Sequence, residues 1–150
     1  MRDIRISVAA AFVLAASAGA AGKAQFVDYY ASASGLVAAL NGLAADVERL
    51  NLRSGSFSEE DASATVARLV KAREGFASLL PNNGHTSEIN EGYILYIDKV
   101  LLAVMLAREY RKEGGQERLD RLDVLLVEAA ALRAKLNQTI QKDKKLYGVP

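Results

Sequence analysis

Residues 29–50, YYASASGLVAALNGLAADVERL, decide the fold. Tyr29, Ala33, Leu36, Leu40, Leu43, Val47 and Leu50 recur at steps of three and four. That spacing gathers them on one side of a helix as a heptad seam, where a strand would alternate apolar and polar residues. The helical segment extends from about 25 to 52 and stops at Arg53-Ser54-Gly55-Ser56. One such seam cannot be buried alone, so the rest of the chain has to supply its cover.

Three further segments do so. The second, about 58–80, opens on Ser58-Glu59-Glu60-Asp61, which has the form of a capping box and sets three acids on the positive end of the helix dipole. Its stripe reads Ala62, Val66, Leu69, Arg73, Phe76 and Leu80, and Pro81-Asn82-Asn83-Gly84 ends it. The third starts near Thr86 or Ser87 and covers about 87–113, with Ile94, Ile97, Leu101 and Val104 inward, until Gly114-Gly115 stops it. The fourth, about 116–147, carries Leu122, Leu125, Ala129, Leu132, Leu136 and Ile140. Short breaks between successive helices favour antiparallel neighbours. The expectation is an all-α protein, an up-down-up-down four-helix bundle over 25–147.

Composition agrees. Twenty-six Ala and twenty Leu are strong helix formers, and Pro81 is the only proline before Pro150. A chain of 150 residues, 51% hydrophobic, is one domain able to bury a core. Nineteen bases against eighteen acids leave a net charge of +1, which argues against nucleic acid as the partner. No cysteine is present, so disulfides, thiolate metal sites and attached c-type haem are excluded.

The first twenty residues read as a secretory signal peptide of bacterial type. Arg2 and Arg5 precede an uncharged apolar run from Ile6 to about Ala16, and Ala18-Gly19-Ala20 offers a cleavage site, with a second after Ala24. The run is short for a membrane span, which takes about 20 apolar residues. Export to the periplasm or beyond follows, without stable membrane insertion after cleavage. Cleavage after Ala20 removes Arg2, Arg5 and Asp3 and leaves seventeen bases facing seventeen acids.

Three features of the segments invite a functional reading. No charge occurs from Tyr29 to Ala45, and the face opposite the leucine seam reads Ala31, Gly35, Ala38, Gly42 and Ala45. A helix lacking a polar coat on its outer side suits close approach by a second helix, from another copy or a different helical protein. The second feature is the bundle end where Tyr29, Tyr30, Arg73, His85, Asn90, Tyr93, Tyr96 and Tyr147 should meet. At about 100° per residue, Arg73 and Asn90 fall within apolar stripes. A pocket lined by Tyr29, Asn90, Tyr93 and Tyr96, with Arg73 as anchor, would take a small anionic or aromatic ligand. Otherwise Arg73 reaches solvent or pairs with Asp28 or Glu91. The third is Arg108, expected in an ion pair with an acid among Glu59, Glu60, Asp61 and Asp46.

Catalytic chemistry finds little support. His85 is the single histidine and has no Glu three residues before it, as a di-metal bundle would require. No nucleophile elbow, phosphate-binding glycine loop or haem-ligating set is present. The chain therefore reads as noncatalytic, without metal or cofactor. Its expected role is helix-mediated association; a periplasmic binding or sensing module at the tyrosine-rich end is the alternative.

Overall fold

The computed structural model describes residues 4–43, 46–47 and 58–150, with side chains from Gly22 onward. Four helices account for nearly all of them: α1 Ile4–Gly42, α2 Glu59–Ser78, α3 Gly84–Glu113 and α4 Gln116–Tyr147. No strand occurs among the described residues. Leu50, Ala45, the expected end of the first segment near residue 52 and the Arg53-Ser54-Gly55-Ser56 break lie outside them.

Local chemistry sets the ends. At α2 the Ser58 hydroxyl accepts from the Asp61 amide at 3.0 Å, while the Asp61 carboxylate accepts from the Ser58 amide at 3.3 Å. Helix α3 begins at Gly84, ahead of the start expected at Thr86 or Ser87. The reason is a second reciprocal cap: Asn83 Oδ1 accepts from the Thr86 amide at 2.8 Å, and Thr86 Oγ1 accepts from the Asn83 amide at 3.3 Å. Threonine here does the work usually given to glutamate. Gly114 and Gly115 join α3 to α4 with φ of 68° and 104°, values that favour glycine.

The pairing of side chains fixes the topology. Along α1 and α2, Leu36 lies against Gly75 and Asp46 pairs with Arg68, so numbers rise on one helix as they fall on the other. The same opposition holds for Glu59–Arg108 and Phe76–Tyr93 between α2 and α3. It holds again for His85–Asp143, Gly92–Leu136 and Lys99–Glu128 between α3 and α4. Helix α4 closes onto α1 through Arg133–Asn41, Lys144–Tyr30 and Tyr147–Phe26. Across the diagonal, α1 and α3 run parallel, with Asn83 on Gln25 and Asn90 on Tyr29. The result is an up-down-up-down bundle.

Ala33, Leu69, Phe76, Ile97, Val100 and Val104 are fully enclosed at its centre, with Leu122 and Ala129. Burying each large apolar side chain contributes about 1.5–3 kcal/mol. Leu36, Leu101 and Leu132 pack half-buried around them. Helix α2 departs from the expected stripe. Its buried line is Ala62, Thr65, Leu69, Ala72 and Phe76; Arg73 is on the surface, and Leu80, beyond the helix end, is 93% exposed.

Candidate functional site

The tyrosine-rich end forms where the end of α2 and the start of α3 meet α1 at Tyr29. Tyr29 of α1 donates its hydroxyl to Asn90 Oδ1 at 3.4 Å, and Asn90 of α3 donates its amide to the Phe76 carbonyl at 3.0 Å. That carbonyl lies in the last turn of α2 and also accepts from the Leu79 amide at 3.2 Å, a tightened final turn. A buried polar side chain thus finds its partners in a helix end and a phenol. The Phe76 and Tyr93 rings stack with centroids 4.8 Å apart and planes 15° from parallel. Tyr96 is buried one turn further along α3.

Tyr93 differs from Tyr29 in one respect: its hydroxyl is buried and has no hydrogen-bond partner. Burial pushes the Tyr93 phenol up to about 12, helped by Tyr30 and opposed by the charge of Arg133. Tyr29 is raised further by burial and by Tyr93, and Tyr96 is raised by burial against the pull of Arg133. Folding therefore favours the neutral phenols. Their contribution is intact below the ordinary phenol value of 10 and is lost as pH rises through their raised values, about 12 for Tyr93. In an alkaline titration the phenolate absorbance of these three residues is expected to appear together with loss of the helical circular dichroism. Replacing Tyr93 with phenylalanine keeps the stacked ring and removes the unpaired hydroxyl. It is expected to raise the stability in urea by about 1 kcal/mol; a loss of stability would mean that the hydroxyl is satisfied.

Arg73 does not join this cluster. Its guanidinium is exposed and forks onto Asp98, Nε 2.6 Å from Oδ1 and Nη2 3.3 Å from Oδ2. The partner is neither Asp28 nor Glu91. Sequence reasoning missed Arg133, whose charge opposes the rise at Tyr93 and Tyr96; it donates to Asn41 Oδ1 at 3.0 Å across the α1–α4 seam. The antiparallel register of the third and fourth segments was the signal that could have placed it. His85 sits at the same end, its Nε2 2.6 Å from the buried carboxylate of Asp143. Phe26, Tyr30 and Tyr147 form a second aromatic group, with Lys144 Nζ 5.0 Å from the Tyr30 ring centre. Arg108, at the opposite end, pairs with Glu59 at 2.6 Å and donates to Ser63.

Several surfaces are open among the described residues. A groove of about 300 Å³ runs between Asp28, Tyr29 and Ser32 of α1 and the end of α2. Another, of about 410 Å³, lies between α3 and α4 over Leu102, Val124 and Leu125. On the outside of α1, Ala31, Gly35, Ala38 and Gly42 are all exposed. A Cβ built on Gly35 or Gly42 meets nothing within 4 Å. Among the residues described with side chains, no helix is long and apolar enough to cross a membrane, and no three His, Cys, Asp or Glu residues gather to hold a metal ion.

No family model, curated protein or solved structure matches this chain.

Proposed function

We propose that the protein is exported and acts, without catalysis, by helix-mediated association, two copies meeting through the outer face of α1. One observation carries this reading. The exposed residues of α1 from Ala31 to Gly42 include no charged side chain, whereas those of α2 include Arg68, Lys71, Arg73 and Glu74. A bundle already closed around its own core has no internal use for a bare outer face. Small side chains there let a second backbone come close.

Changing Gly35 and Gly42 together to glutamate tests it. Both positions are open, so the fold should tolerate the change. Sedimentation is expected to show a wild-type dimer and a monomeric variant with unchanged helical content. A wild-type protein that stays monomeric at high concentration overturns the proposal, as does a variant that still pairs.

Export rests on the leader pattern at residues 1–20. Cutting after Ala20 or Ala24 would leave Gln25 and Phe26 in place, which contact Asn83 and Tyr147. The mature bundle thus keeps all four helices. Mass spectrometry of the exported protein would read the cut directly.

A second reading, a binding or sensing module at the tyrosine-rich end, is favoured by the groove beside Tyr29. Its volume falls at the lower bound usual for small-molecule sites.

A further inference from the structure

We infer that this groove binds an organic cation, a protonated amine carried on a small apolar or aromatic body. The inference deepens the second reading above and reverses the charge that the sequence suggested for the ligand. Arg73, the anchor for an anion, is turned away to Asp98. What lines the groove instead is acidic or electron-rich. Asp28 stands at its edge and makes no ion pair among the described residues; only its backbone carbonyl is engaged, by the Ser32 hydroxyl at 3.1 Å. Ser32, Ser78 and Asn82 add oxygens that can accept from an ammonium, and no lining residue is basic.

The helix end adds to this. Helix α2 terminates at Ser78 beside the groove, so the negative end of its dipole faces the same space. A helix end of this kind is commonly matched by lysine or arginine, yet the last turn of α2 has neither. The remaining wall is apolar: Tyr29, Leu79 and Leu80 line it, and Leu80 has almost no packing of its own. A charged amine would sit between Asp28 and the end of α2, with its hydrocarbon portion against Tyr29 and the leucines. A carboxylate in the same position would meet Asp28 and the helix carbonyls with like sign.

Three probes on one skeleton separate charge from shape: 2-phenylethylammonium, 2-phenylethanol and phenylacetate. Each is titrated into the isotope-labelled full chain at low ionic strength, following the amides of residues 28–32 and 78–82. The ammonium is expected to bind about fivefold tighter than the alcohol, the combined size of an exposed ion pair and a helix-end interaction. Phenylacetate should be the weakest. Asp28→Asn should reduce the advantage of the ammonium to about twofold, the helix end remaining, with alcohol binding unchanged. Ser78→Lys should weaken the ammonium selectively. Both positions are exposed, and circular dichroism checks that the bundle is intact. Equal binding of all three probes, or a preference for phenylacetate, overturns the cation while leaving the second reading standing. Failure of every probe to shift these amides overturns both.

Discussion

Replacing Gly114 and Gly115 together by alanine is expected to break the α3–α4 hairpin and produce a swapped dimer. These two residues are the whole connection between α3 and α4. Gly114 has φ 68° and ψ −155°, a region almost closed to side-chain-bearing residues, and Gly115 has φ 104°. Holding a non-glycine residue in such a conformation costs about 1–3 kcal/mol each. Alanine, the strongest helix former, escapes that cost by continuing the helix from α3 straight into α4. Helix α4 then leaves its own α3 and repeats the His85–Asp143, Gly92–Leu136 and Lys99–Glu128 contacts with the α3 of a second chain. Such exchange is the known hazard of altered hinge loops. The measurement is made in the Gly35→Glu, Gly42→Glu background, where pairing through α1 is absent. Light scattering should give twice the chain mass with increased helical signal. A monomer of unchanged melting temperature would mean that the turn tolerates side chains.

Phe76→Ala is expected to cost about 3–5 kcal/mol, the range for deleting a buried aromatic side chain. Phe76 is fully buried at the last turn of α2 and stacks on Tyr93. Its carbonyl also holds Asn90, which in turn receives Tyr29, so a shift of this backbone disturbs three helices. Against the usual total of about 5–15 kcal/mol for a domain, this is a large fraction. In a chain of this length the melting temperature should fall by about 10 °C or more. A loss below about 1 kcal/mol in urea unfolding would show that the tyrosine-rich end contributes little to the bundle.

The sequence exposes the parts of this fold that are decided locally. The seam of α1, the cap at Ser58 and the double-glycine turn depend on neighbours within a few residues, and each stands where its pattern points. Helix α2 shows the limit. Ala62, Val66, Leu69, Arg73, Phe76 and Ala62, Thr65, Leu69, Ala72, Phe76 both satisfy steps of three and four. The two lines differ by about 100° of rotation at the alternate positions. Contacts with α3 decide between them: Asp98 holds Arg73 outside, and Ala72 takes the buried place. Single periodicity carries no such information.

The tyrosine-rich end was partly legible for a similar reason. Short connections bring Tyr29, Asn90, Tyr93 and Tyr96 to one region, which needs only the order of the helices. The hydrogen bond from Asn90 to the Phe76 carbonyl and the placement of Arg133 need the register between helices. That register is set by pairs such as Gly92 with Leu136, where the missing side chain admits the leucine. A glycine inside a helical pattern marks where a neighbour can come close, without naming the neighbour.

The uneven distribution of phenol rings gives the molecule a built-in lamp. The chain has six tyrosines and no tryptophan, and all but Tyr110 stand at the end where α2 finishes and α3 begins. Its ultraviolet fluorescence therefore originates almost wholly from that end. Loosening of α1 there will change the emission early, while movement around the two-glycine turn will pass nearly unseen, so the optical record of unfolding will be a record of one end.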